Sequence, residues 1–216
     1  MEGAKLAKYI DHTLLKPEAE ENEIVKLCQE AAEFEFASVC VNPCNVLLAA
    51  KLLNDSQVRV CTVIGFPLGA NTTAVKVFEA TDALKNGATE IDMVINIGKL
   101  KEKNYSYVGE EIWKLAEAVK GKGLLKVIVE TCLLTDDEIV KISEIVRDSG
   151  ADFIKTSTGF SKAGAKVEHI RLMKSVLGDS IGIKASGGIR DYETAMAMIE
   201  AGATRIGASA SVKICE

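Results

Sequence analysis

Four charged side chains stand inside or at the end of short apolar runs: Asp11, Asp92, Lys155 and Lys184. Lys155 closes Phe153-Ile154-Lys155 and precedes Thr156-Ser157-Thr158-Gly159. Lys184 closes Ile181-Gly182-Ile183-Lys184 and precedes Ala185-Ser186-Gly187-Gly188. If these runs are strands, alternation sets Phe153 with Lys155 on one face and Gly182 with Lys184 on one face. Inward faces would bring two amines into one cavity. Mutual repulsion and burial both disfavour the ammonium form there, so at least one lysine pKa is expected to fall. A neutral lysine amine is the nucleophile of Schiff-base chemistry. Position alone also allows the opposite orientation, in which each lysine lies outward and snorkels at a strand end.

Asp92, in Glu90-Ile91-Asp92-Met93-Val94, is the natural partner for such amines. An aspartate buried in an apolar strand needs a partner. It could hold Lys184 and relay protons; facing solvent at a rim, it would do neither. Asp11, in Ile10-Asp11-His12-Thr13, repeats the pattern more weakly, and His12 reads as structural. Gly187-Gly188 and Gly207-Ala208-Ser209 have the look of a phosphate cradle, because glycine lets backbone N–H groups approach an anion closely. Taken singly, a Gly-Gly pair is more often a turn.

The elements that would position these groups are legible as an alternation. Eight apolar runs read as strands: Tyr9–His12, Phe36–Val41, Val58–Ile64, Glu90–Ile95, Leu124–Glu130, Phe153–Thr156, Ile181–Ala185 and Thr204–Gly207. Amphipathic stretches separate them. Ile112, Leu115, Ala116 and Val119 form one helical stripe. Thr135 and Glu138 form a capping box ahead of Ile139, Ile142 and Val146. Asn42-Pro43 suggests an N-cap with proline at the first helical position, and then Val46, Leu47 and Ala50 on one side. Asn86-Gly87-Ala88-Thr89, Ser149-Gly150-Ala151-Asp152 and Ala201-Gly202-Ala203-Thr204 each close a helix and open a strand, a weak internal repeat. Strand–helix alternation implies parallel strands. The expected fold is α/β, a single (β/α)8 TIM barrel over residues 1–216, whose site lies at the C-terminal strand ends. A doubly wound open sheet is the alternative, and no G-x-G-x-x-G follows the first strand to favour it.

Composition narrows the function classes. The 216 residues are 48% hydrophobic and 26% charged, with net charge −5. No basic patch suggests nucleic acid and no long apolar run suggests a membrane span, so neither partner is expected. Met1 to Lys8 lacks a signal-peptide core. Six cysteines, with no C-x-x-C pair, sit mostly in apolar runs, which suggests free thiols and a cytoplasmic location. His12 and His169 are the two histidines, so a His-rich metal site is not expected.

Five segments then carry a resemblance. Ile10-Asp11-His12-Thr13-Leu14-Leu15-Lys16-Pro17, Gly65-Phe66-Pro67-Leu68-Gly69, Glu90-Ile91-Asp92-Met93-Val94, Phe153–Phe160 and Lys184–Arg190 resemble the deoxyribose-phosphate aldolase family, in order, from about Leu6 to Ser211. The resemblance implies a class I aldolase without cofactor that cleaves 2-deoxy-D-ribose 5-phosphate to acetaldehyde and D-glyceraldehyde 3-phosphate. It implies that Lys155 forms the Schiff base, that Lys184 depresses its pKa, and that Asp92 holds Lys184 and moves protons. Asp11 and Thr13 would help bind the sugar, and Cys40 would be pocket wall. Thr156, Gly159, Gly187, Gly188 and Ser209 would complete the substrate site, in a homodimer or homotetramer. Two departures stand out: Phe160 replaces a lysine found in some bacterial members, and Ser209-Ala210 replaces a serine pair, so phosphate binding would lean on backbone N–H groups. Two readings compete: another phosphosugar barrel enzyme, such as a pentose-phosphate epimerase or a transaldolase-like enzyme, and a barrel that only binds.

Overall fold

The computed structural model describes residues 3–216. Eight strands run β1 Ile10–Leu14, β2 Ser38–Val41, β3 Arg59–Ile64, β4 Glu90–Val94, β5 Leu124–Ile128, β6 Phe153–Lys155, β7 Gly182–Ser186 and β8 Arg205–Ala208. They pair in sequence order, all parallel, and β8 returns to β1 to close the barrel. Around them lie α1 Gly3–Ala7, α2 Glu21–Phe34, α3 Val46–Leu52, α4 Thr73–Lys85, α5 Ile97–Lys101, α6 Tyr105–Val119, α7 Asp136–Asp148, α8 Val167–Leu177, α9 Tyr192–Glu200 and α10 Ser211–Cys215. The chain is a single (β/α)8 TIM barrel.

Most strand residues are buried, yet the two faces differ in kind. Ile91, Met93, Leu125, Val127, Ile183, Ala185 and Ile206 join the helices in one large apolar cluster. The alternate positions point into the barrel and carry Asp11, Glu90, Asp92, Lys126, Lys155, Lys184 and Arg205, which pair with one another. Bulky branched side chains usually fill such an interior. Here charges replace them over much of it, and the apolar remainder is a small cluster of Leu15, Cys40, Cys61 and Val63 beside Phe66.

Helix signals behave as their chemistry requires. Thr135 accepts the Glu138 N–H and Glu138 accepts the Thr135 N–H, while Ile139, Ile142 and Val146 are buried. Ile112, Leu115, Ala116 and Val119 are all on the buried face of α6. The αβ-junction glycines take left-handed turns; at Gly202 φ is 119°. Two expectations differ. Asn42 makes no cap bond, and Pro43–Asn45 is a 3-10 turn that feeds α3. The Asn42 amide instead donates to Leu15 O at 3.2 Å. The buried face of α3 is therefore Val46 and Ala49, and Leu47 is exposed. The fifth strand stops at Ile128, short of Glu130, because Glu130 takes φ 56° and starts a 3-10 turn over Thr131–Leu133.

One buried ion pair fastens helices to strand ends near the site. Lys76 of α4 and Glu111 of α6 are both fully enclosed and meet at 2.8 Å. Lys76 also donates to Val94 O at 2.7 Å, and Glu111 accepts the Asn96 N–H at 2.8 Å. Burial pulls the Lys76 pKa below its ordinary value despite Glu111. Removing one partner strands the other charge. Lys76→Met is expected to destabilise by about 3–5 kcal/mol in urea unfolding, and adding Glu111→Leu to recover part of that loss.

Candidate active site

Register brings the reactive groups together. In β4–β5 Asp92 lies opposite Lys126, in β6–β7 Lys155 lies opposite Lys184, and in β7–β8 Lys184 lies opposite Arg205. Neighbours at one level of a parallel sheet share a face, so all five project into the barrel. Both lysines therefore point inward, and the outward, snorkelling orientation does not occur.

Asp92 is the hub. Its Oδ1 accepts from Lys126 Nζ at 2.8 Å. Its Oδ2 accepts from Lys155 Nζ at 2.8 Å and from Lys184 Nζ at 2.7 Å. Cys61 donates to Oδ1 at 3.1 Å. Burial alone would push the Asp92 pKa up, but Lys126, Lys155 and Lys184 together hold it well below the carboxylate range. Asp11 follows the same rule, with Lys184, Lys126 and Arg205 overcoming its burial.

Position alone left open which of the two lysines stays charged, and Lys184 is the one. Burial favours the neutral amine, but Asp11 and Asp92 prevail and raise its pKa above the ordinary lysine value. Its repulsion from Lys126 does not overcome them. Lys184 is thus a fixed ammonium. Lys126 is held charged by Asp92, Asp11 and Glu90 against its own burial. The Cys61 thiol is pushed well up, first by burial and then by its neighbours Cys40 and Asp92, so it stays protonated.

Above this layer lies a pocket of about 260 Å³ at the C-terminal strand ends. Lys155, Thr13, Gly159, Gly187, Gly188 and Ser209 line it, as does the aromatic Phe160. Gly187 is tied closely to Gly164: a Cβ on Gly164 would lie 2.0 Å from Gly187 O. Other predicted positions lie deeper. Asp11 is fully buried and its carboxylate is engaged by Arg205 at 2.6 Å and by Lys184. Cys40 is enclosed beside Cys61 and Val63, below the lining. Thr156 clamps β6 to β7, donating to Ser186 O at 3.2 Å and accepting the Ser186 N–H at 3.1 Å.

Sequence reading missed several members. Lys16 and Arg190 also line the pocket and bring two cationic side chains to it. They lie beyond strand ends, where neither burial nor periodicity marks them, although both fall in segments that carry the resemblance. Lys126, Glu90 and Arg205 did carry a signal: each is a charge inside an apolar run, as Asp92 is. Cys40, Cys61 and Asp92 bring ligating atoms within 4.8 Å of one another. The Asp92 oxygens, however, are taken by the nitrogens of Lys126, Lys155 and Lys184, which stand where a cation would.

Comparison with known proteins agrees with this geometry. Residues 5–216 match the profile of the DeoC/LacD family aldolases. A deoxyribose-phosphate aldolase of Clostridium perfringens is 61% identical over 216 residues, covering 100% of this chain and 96% of that one. The Enterococcus faecalis enzyme of the same name is 60% identical over 210 residues, covering 97% and 96%. Among solved structures, the tetrameric deoxyribose phosphate aldolase of Aeropyrum pernix superposes with TM-score 0.92 at 34% identity, covering 99% of this chain and 90% of that one.

The buried carboxylates set an acid limit on stability. Asp92 and Asp11 have depressed folded-state values, so their contribution is complete above the unfolded aspartate value near 3.9 and fades as pH falls below it. Stability measured by urea unfolding is expected to be flat from about pH 6 to 8 and to drop below about pH 4. Asp92→Asn should flatten part of that drop.

Proposed function

The chain belongs to the DeoC/LacD family of aldolases, and on that footing we propose that it cleaves 2-deoxy-D-ribose 5-phosphate reversibly to acetaldehyde and D-glyceraldehyde 3-phosphate. The observation that carries this reading is the Lys155 amine at the pocket floor, 2.8 Å from an Asp92 oxygen that also holds Lys184. Lys155 would attack the C1 aldehyde, and loss of water would leave a protonated imine. Removal of the C3 hydroxyl proton then lets the C2–C3 bond break. Its electron pair forms the C1–C2 enamine and neutralises the imine nitrogen, while C3 leaves as the new aldehyde. Protonation at C2 and hydrolysis release acetaldehyde and the free amine.

Charge counting supports the choice of Lys155. Three buried carboxylates, Asp11, Glu90 and Asp92, face Lys126, Lys184 and Arg205. Three against three leaves the interior neutral when Lys155 is an amine. Lys184, held as an ammonium by Asp11 and Asp92, is an acid and a source of repulsion. Asp92 touches both nitrogens and can pass a proton between Lys184, substrate and water. Lys16, Arg190 and the N–H groups near Gly159, Gly187, Gly188 and Ser209 suit the phosphate end. Phe160, at van der Waals range from Phe66 with ring centroids 5.3 Å apart, gives the rim an apolar edge.

Residues 1–216 would act as one barrel domain, in a homo-oligomer, as the Aeropyrum pernix protein does as a tetramer. Among the described residues no helix is long and apolar enough to cross a membrane. The six free cysteines suit a reducing compartment.

Borohydride reduction in the presence of acetaldehyde should leave one ethyl group on Lys155, read by intact mass and peptide mapping. Lys155→Leu should abolish both trapping and turnover, and an adduct on any other lysine would refute the assignment. An epimerase or a binding-only barrel would trap nothing. Asp92→Asn is expected to lower turnover by about 10²-fold or more, the low end of an acid–base contribution, in steady-state assays. Near-normal turnover would make Asp92 a purely structural anchor.

A further inference from the structure

Glu130 occupies a position that favours glycine and is nonetheless a buried carboxylate. Its φ is 56° and ψ 63°, and it is 2% exposed. The left-handed region is disfavoured for a residue with a side chain. An enclosed carboxylate is costly again unless its oxygens are satisfied. Glycine would meet the backbone requirement at neither cost, so the side chain itself is what the site uses.

What it touches is the turn that follows Lys155. Both Glu130 oxygens accept the Thr158 N–H at 3.3 Å, and Oε2 accepts the Thr158 hydroxyl. Thr158 Oγ1 in turn accepts the Phe160 N–H at 3.0 Å. The backbone beside Glu130 is pinned to the same segment: Val129 N–H donates to Lys155 O at 3.0 Å and Thr131 N–H to Thr156 O at 2.9 Å. Within Thr158–Phe160 the outer two N–H groups are therefore committed. Gly159 lies between them; among the described residues its N–H has no hydrogen-bond partner, and it lines the pocket with Thr158 and Phe160. Glu130 does not line it.

We propose that Glu130 is a positioning residue for the anionic end of the substrate: it locks the Thr158–Phe160 turn so that Gly159 presents its N–H to the phosphate. This rests on the phosphosugar reading above. Electrostatics alone would make a nearby carboxylate unfavourable to phosphate, so the two accounts predict opposite signs. Neutralising Glu130 weakens phosphate binding if it positions the turn, and strengthens it if it merely repels.

The test compares wild type with Glu130→Gln, which keeps the shape but replaces one acceptor oxygen with a donor. Substrates are 2-deoxyribose 5-phosphate and unphosphorylated 2-deoxyribose, with inorganic phosphate as competitive inhibitor. The expected result is a KM for the phosphorylated sugar and a Ki for phosphate both raised about tenfold, the size of one lost charge-assisted hydrogen bond. The kcat for the phosphorylated sugar and the kcat/KM for 2-deoxyribose should stay within about twofold of wild type, a shift inside the usual scatter of additivity. Thr158→Val should raise the same KM, and the Glu130→Gln/Thr158→Val double variant should be no worse than the worse single one. Should Glu130→Gln fail to fold, Thr158→Val alone must show the same split. Equal losses on both sugars, an unchanged or lowered KM, or additive single effects would each overturn the proposal. A wild-type enzyme that treats the two sugars alike would instead remove the phosphosugar reading, and this inference with it.

Discussion

The structure turns on one buried carboxylate and the three lysine nitrogens around it. Asp92 is fully enclosed, and its two oxygens hold Lys126, Lys155 and Lys184. Such a cluster is not a source of stability by itself, since desolvating charges consumes most of what their attraction returns. The folding free energy must come from elsewhere, and the strands show from where. Their outward side chains merge with the helices into one aliphatic shell, at about 25 cal/mol per Å² of apolar area buried. The barrel thus separates two tasks by face: the outer face of each strand supplies stability, and the inner face holds chemistry in place.

The inner face is itself graded along the barrel axis. Toward the strand N-termini, Glu90 and Arg205 meet at 3.1 Å and seal the interior with full ion pairing. At mid-height, Asp92 and Lys184 are still enclosed. Lys155, at the last residue of its strand, is the group that reaches the pocket. Because Lys184 and Lys126 are fixed as ammonium groups, the field at Lys155 is set by the scaffold before any substrate arrives. This is the preorganisation that electrostatic catalysis requires, with little reorganisation left for the reacting state.

Much of this was legible in the sequence, for identifiable reasons. Parallel strands buried on both faces read as continuous apolar runs, so a charge inside one is conspicuous, and Asp92, Lys155 and Lys184 stood out on that ground. The same ground was available for Lys126, Glu90 and Arg205, but nothing in one dimension says that register will set Lys126 opposite Asp92. Which of the two lysines stays charged was open on position alone, for a related reason. Two lysines on adjacent strands suggest mutual repulsion, and only the closed barrel shows that Asp11 and Asp92 outweigh it. Glu130 read as the end of a strand because propensity carries no information about a single left-handed residue. Lys16 and Arg190 are loop cations, and loops converge on a pocket only after the strands have aligned them.

The pairing of Asp11 with Arg205 spans 194 residues, from the first strand to the last. During synthesis the chain emerges from its N-terminus, so Asp11 precedes all three of its cations, Lys126 on β5, Lys184 on β7 and Arg205 on β8. A barrel that lacks them cannot enclose Asp11 without leaving its charge under-compensated, which is unfavourable. Enclosing this carboxylate is therefore favourable only together with the later strands that carry its cations, which ties the first strand of the ring to its last.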